Sequence, residues 1–210
     1  EETSYLDDLL HPQISSSEFF HALRQGASCS TSQIPSARFV EAWEPILQAG
    51  RDILHLCFSS ALSATYERAC SAAEELRAKY PERTIRVVDT QCASLGEGYL
   101  VELCVEKQRA GSTLQEAGDW AEQARSHIAH WITVDDLGHL KRGGRISAAS
   151  ALVGSMLGIK PIIHVDDTGA LCMAEKVRGR KASLDYIAEQ ISSTMAPGSY
   201  LRVVHGDALE

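Results

Sequence analysis

The sequence predicts an α/β protein of two domains, an N-terminal α/β domain on a parallel sheet and a C-terminal α+β domain. Three observations carry this. Short apolar runs alternate with helix-period segments through the first half, the pattern of a parallel sheet covered by helices. In the second half Asp166-Asp167-Thr168-Gly169 separates two apolar runs and reads as a hairpin turn. Hydrophobic residues make up 44% of the 210, enough for a core in each domain.

Each element has a local reason. Residues 15–25 begin with a serine run suited to an N-cap and continue with Phe19, Phe20 and Leu23, which predicts a short helix. Residues 36–48, entered from Pro35 and closed by Gly50, set Phe39, Val40, Trp43 and Leu47 at helical spacing. Residues 53–58 have the length and apolar density of a buried strand, and 67–80, with Ala69, Ala72, Ala73 and Leu76, those of a helix. A strand at 85–89 and a helix at 95–110, ended by Gly111, complete the first domain. The transition near residues 111–113 gives domains over 1–111 and 112–210. Beyond it the pattern predicts a long helix at 113–130, a strand at 131–134 and a small-residue helix at 147–157. The hairpin strands at 161–165 and 170–177, a helix at 183–193 and a strand at 200–204 follow.

Composition excludes several function classes. The formal net charge of -8 argues against a general affinity for nucleic acid or anionic lipid surfaces. The six cysteines, Cys29, Cys57, Cys70, Cys92, Cys104 and Cys172, lack CxxC or Cys/His spacing, so the expectation is free core thiols in a reducing cytoplasm and no metal site. No segment approaches the roughly 20 apolar residues that span a bilayer, so no stable membrane insertion is expected. The opening Glu1-Glu2-Thr3-Ser4-Tyr5 is not a signal peptide, and the start without Met and the stop after a predicted strand suggest a chain cut at both ends.

The chemistry concentrates in three places. Ser59, Ser60, Ser63 and Thr65 place four hydroxyls in seven positions between a predicted strand and a predicted helix. A helix N-terminus offers unpaired N–H groups and the positive end of a dipole, so hydroxyls there suit a carboxylate or phosphate; a plain N-cap with spare serines explains them as well. Thr31 and Ser32 form a second hydroxyl cluster ahead of the helix at 36–48. The third is the run 139–147, where Lys141, Arg142 and Arg145 border Gly143-Gly144, a cationic turn without the Gly-x-x-x-x-Gly-Lys-Ser/Thr pattern of a phosphate loop. A serine hydrolase is the catalytic alternative. It would favour Gly-x-Ser-x-Gly at the strand-to-helix elbow, which Ser59 to Ser63 lack, and His55, set in an apolar strand, reads as a packed core residue.

In order and spacing these pieces resemble the DegV family of bacterial fatty-acid-binding proteins. The resemblance runs from Thr31-Ser32-Gln33 with Pro35-Ser36 and Phe39 through Ser59-Ser60-Ala61-Leu62-Ser63-Ala64-Thr65-Tyr66 and Val88-Asp89-Thr90 with Gly96 and Gly98. It continues with Leu140-Lys141-Arg142-Gly143-Gly144-Arg145-Ile146-Ser147, Ile159-Lys160-Pro161, Gly169 and Lys176-Val177-Arg178 followed by Lys181-Ala182. It implies a two-domain fold of the EDD type and a non-catalytic carrier in phospholipid metabolism. Such a carrier buries the tail of one palmitate-like or oleate-like fatty acid and presents the carboxylate to a partner fatty acid kinase.

By position the resemblance gives the carboxylate to Thr31 and Ser63, with Ser32, Ser59, Ser60 and Thr65 around them. Arg145 stands near the head group or on the kinase-facing side. Leu152, Val153, Met156 and Leu157 are the expected acyl-chain lining, with core packing the equal alternative, and no cofactor beyond the lipid is expected. Three departures stand out. Ala64 replaces a usual Gly, the family's opening Asp-Ser strand is missing ahead of Tyr5, and its closing His-x-Gly-Pro-Gly segment is not matched by His205. A ligand-free regulatory module remains the third function class.

Overall fold

The computed structural model describes residues 5, 13–135, 137–146 and 158–208. The chain divides into two compact units, one made of Glu1–Thr31 with Leu201–Glu210, the other Ser32–Tyr200. In the first, helix α1 (Ser16–Arg24) is started by a capping box, Ser15 Oγ taking the Glu18 N–H while Glu18 takes the Ser15 N–H. Arg24 pairs with Asp207 in the same unit.

Among the described residues the larger unit holds two sheets. Helix α2 (Ser36–Gln48) follows Pro35 and turns Phe39, Trp43 and Leu47 inward. Strands β1 (Ile53–Cys57) and β2 (Ile85–Asp89) pair in parallel, from Ile53 opposite Ile85 to Cys57 opposite Asp89. Helix α3 (Thr65–Lys79) joins them, and Ala69, Ala72 and Ala73 on its inner face have no exposed surface. Methyl-sized side chains let this helix lie close on the strands and share a core with Phe39, Trp43, Leu47, Ile53 and Ile85. His55 lies in that core, its ring 5.3 Å from Phe39 and 5.1 Å from Trp43, and burial lowers its pKa to about 4. It is the packed histidine expected of an apolar strand.

Helix α4 (Ser94–Arg109) and helix α5 (Leu114–Ala124) form a second core from Val88, Leu100, Cys104 and Ala121. The long helix expected over 113–130 is shorter. It ends at Ala124 and tightens into a 3₁₀ turn, Arg125–His127, before Ile128 becomes extended. Arg125 explains the stop, because Nη1 donates to the Asp89 carbonyl oxygen at 2.6 Å and ties the chain to the end of β2.

Strands β3 (Trp131–Thr133), β4 (Ile159–Val165) and β5 (Leu171–Arg178) form an antiparallel sheet in the order β3-β4-β5. The expected hairpin is therefore present, with a bulge where the register shifts between Ile162 and Ile163. Helix α6 (Gly138–Arg142) leads into the Gly143-Gly144 turn, and helix α7 (Arg180–Thr194) packs on the sheet. Leu137, Ile146 and Ile163 centre this third core. The helix expected at 147–157, with Leu152, Val153, Met156 and Leu157, lies outside the described residues. Residues 200–204 form no strand; Tyr200 and Val203 are mainly exposed, and a short apolar run with no strand paired to it among the described residues gives no ladder. The parallel pair lies wholly before residue 111 and the antiparallel sheet wholly after it. No helix among the described residues is long and apolar enough to cross a membrane.

Candidate functional site

Because Cys57 and Asp89 end their parallel strands in register, the segments 58–64 and 90–93 leave the sheet side by side. That carboxyl edge is where open α/β sheets place ligands. Four of the sequence-selected residues meet there, and hydrogen bonding separates their roles.

Ser59 is fully buried and uses every polar atom internally. Its N–H donates to the Cys92 carbonyl at 3.0 Å, its carbonyl takes the Leu62 and Ser63 N–H groups, and its Oγ takes the Ala61 N–H while donating to the Gly169 carbonyl at 2.8 Å. Ser60 is equally committed. Its Oγ donates to Asp89 Oδ2 at 2.5 Å and its N–H to Asp89 Oδ1 at 3.2 Å, and Asp89 Oδ1 also takes the Gln91 N–H at 3.0 Å.

Ser63 and Thr65 differ. Their hydroxyl oxygens stand 2.8 Å apart, either able to donate, and the Thr65 N–H donates to Ser63 Oγ at 3.2 Å. A pair of hydroxyls joined by one bond retains one hydroxyl proton, and no acceptor for it occurs among the described residues. When Thr65 donates, Ser63 Oγ accepts twice and its own proton is left uncommitted. Tyr66 and Glu67, in the first turn of α3, add N–H groups without an intrahelical acceptor.

Arg145 reaches the same turn from the antiparallel half, donating from Nε to the Leu62 carbonyl at 3.1 Å and from Nη1 to the Gly143 carbonyl. The guanidinium thus lies one residue from Ser63 while the side chain remains exposed. Thr31 and Ser32 are both exposed on the irregular stretch before α2, Thr31 in the smaller unit and Ser32 in the larger.

Three further features make contacts that the sequence reading did not assign. Gly169, at φ +84°, brings the hairpin turn onto the serine loop, and a Cβ there would stand 2.2 Å from Ser59 Oγ. Gly96 does the same for His130, where a Cβ would stand 2.0 Å from Nε2; that nitrogen accepts the Ala93 N–H at 3.4 Å, and burial holds the imidazole pKa below its ordinary value. Burial pushes the Cys57 and Cys92 thiols up to about 12 and the Glu97 carboxyl up to about 7. Gly96 and Asp89 are visible in the sequence, but their contacts to His130 and Ser60 cross many residues and carry no local signal. No group of three or more His, Cys, Asp or Glu among the described residues could hold a metal ion.

The arrangement can bind a small anion through a hydroxyl pair, helix N–H groups and a neighbouring guanidinium. Among the described hydrogen bonds, Ser63 has no histidine or carboxylate to act as a general base.

The family model that matches describes an uncharacterised protein of the DegV family and covers residues 1–210. A DegV domain-containing protein of Clostridium perfringens is 41% identical over 99% of this chain and 72% of its own length. The crystal structure of a DegV family protein from Ruminococcus gnavus, refined with vaccenic acid, superposes with a TM-score of 0.80 at 25% identity, covering 94% of this chain and 68% of that one. A DegV family protein from Thermus thermophilus, described for its fatty acid binding, gives 0.74 at 33% identity over 86% of this chain and 62% of its own. The chain thus spans between 62% and 72% of the length of these proteins.

Proposed function

The chain belongs to the DegV family, and on that premise we propose that it is a non-catalytic carrier of a single long-chain fatty acid. The Ser63–Thr65 hydroxyl pair, with its uncommitted proton at the carboxyl edge of the parallel strands, carries this reading. Ser63 donates to the carboxylate, Thr65 orients it, Arg145 supplies the nearby positive charge, and Thr31 and Ser32 are the further donors that the family resemblance implies. Ser59 and Ser60 shape the turn rather than touch the ligand.

The energetics divide the work between head and tail. A hydrogen bond to a charged group is worth about 1.5–3 kcal/mol, whereas each buried methylene contributes about 0.8 kcal/mol before ordering costs. The hydroxyl pair therefore selects the head group, and the tail pocket, assigned to residues 112–210, supplies most of the affinity. Presentation of the bound carboxylate to a fatty acid kinase in the cytoplasm completes the proposal. Support for the lipid comes from the Ruminococcus and Thermus relatives.

The test is mass spectrometry of organic extracts from the full-length protein purified without added lipid, followed by titration with palmitate and oleate. One equivalent of a long-chain fatty acid is expected. An empty extract combined with no binding of either acid would sink the carrier reading.

A further inference from the structure

The turn that carries the hydroxyl pair is closed on Ser59, whose carbonyl takes the Leu62 N–H at 3.1 Å and the Ser63 N–H at 3.2 Å. Its place on the sheet is therefore set by what holds residues 59 and 60. Asp89, the last residue of β2, holds Ser60 twice, Oδ1 taking its N–H at 3.2 Å and Oδ2 its hydroxyl at 2.5 Å. Oδ1 also takes the Gln91 N–H at 3.0 Å, so one oxygen joins the loop after β1 to the loop after β2. Gln91 has a left-handed backbone, φ +52°, a conformation that needs such a tie. The next residue continues the joint. Thr90 is buried, its N–H and Oγ1 donate to the Cys57 carbonyl at 3.0 and 2.7 Å, and its Oγ1 takes the Cys92 N–H at 3.2 Å. Arg125 bonds the Asp89 main-chain carbonyl, so the three donors on the carboxylate, Ser60 N–H, Ser60 hydroxyl and Gln91 N–H, are all neutral.

We infer that Asp89 is the positioning residue of the head-group site: as a hydrogen-bond acceptor shared by both loops it sets where the Ser63–Thr65 hydroxyl pair stands. The inference rests on the carrier reading. The contacts run from Asp89 to Ser60, through the peptide to Ser59, from the Ser59 carbonyl to the Ser63 N–H, and from Ser63 Oγ to Thr65. A hydroxyl already in place binds without an ordering cost, so a loosened loop loses affinity although every ligand-facing group is still there. Acceptor geometry and not charge is what the two N–H groups need. An Asn carbonyl can take both of them while its amide donates to Ser60 Oγ; a Glu keeps the charge but carries the oxygens one methylene further out.

The experiment measures palmitate dissociation constants for the full-length protein and its Asp89→Asn, Asp89→Glu and Asp89→Ala variants, each also combined with Ser63→Ala. Asp89→Ala should weaken binding about tenfold and Asp89→Glu about threefold or more, whereas Asp89→Asn should stay within about twofold of wild type. In the Ser63→Ala background Asp89→Glu and Asp89→Ala should each add less than about twofold, because they act through the hydroxyl already removed. A merely structural role for Asp89 would instead lower affinity by the same factor in both backgrounds, and that result would overturn the inference. So would Asp89→Asn binding no better than Asp89→Glu. If Asp89→Ala does not fold, the Asn and Glu variants decide the matter. Failure of the wild type to bind palmitate would remove the carrier reading itself, and the positioning role with it.

Discussion

At the scale of single residues, the serine-rich turn is a division of labour. Ser59 and Ser60 have the same chemistry as Ser63, yet their protons go to Gly169 and Asp89. Ser63→Ala should therefore weaken palmitate binding about tenfold or more, the loss of one hydrogen bond to a charged group. Ser60→Ala should change it less than about threefold, since that hydroxyl bonds Asp89 rather than the ligand. Equal losses in a titration of both variants would contradict the assignment. Glu97 gives a second expectation, for stability without ligand. Its folded pKa is raised from 4.5 to about 7. Between those values the unfolded chain releases the proton that the folded chain keeps, so stability falls as pH rises through this window and levels off above it. Glu97→Gln should be more stable than wild type at pH 8 by about 1–2 kcal/mol, after discounting for solvent screening, and the gain should shrink toward pH 5. Urea melts at the two pH values decide this.

At the scale of elements, the turn between β4 and β5 does more than join two strands. Asp166 organises it by accepting from the Thr168 N–H and hydroxyl, the Ala170 N–H and the Cys172 thiol, which holds its carboxyl well below the usual range. The result puts the Gly169 carbonyl over Ser59. Gly169→Ala should cost about 2–4 kcal/mol, combining a left-handed backbone with a clash against a buried hydroxyl. Part of that loss should return in the Ser59→Ala background, where Oγ is gone although Gln91 Cα, 3.0 Å from the added Cβ, remains. Additive thermal unfolding of the two variants would show that the turn and the serine loop are independent. Local patterning made most of these elements legible. The hairpin, the capped α1 and the alanine face of α3 follow from turn chemistry and period. The end of α5 at Ala124 did not, because a long-range bond from Arg125 to the end of β2 overrides the local helical pattern.

At the scale of the whole molecule, a ligand that binds only the folded chain adds stability by mass action. Palmitate at 100 times its dissociation constant contributes about 2.7 kcal/mol, which for about 200 residues is a rise in Tm of roughly 5–10 °C. Ser63→Ala at the same palmitate concentration should show a smaller rise. An unchanged midpoint for the wild type would mean that the fatty acid is not held by the fold.

The sequence alone determined the fold class, most elements of the two sheets and their covering helices, and the DegV resemblance, because these rest on period, turn residues and motif spacing along the chain. It also determined where the hydroxyls cluster. Which of those hydroxyls keeps an uncommitted proton was decided only by the tertiary structure. The acceptors that engage Ser59 and Ser60 are Gly169, 110 residues away, and Asp89, 29 away, and a hydrogen bond depends on where the folded chain brings its two ends, not on how far apart they stand in sequence.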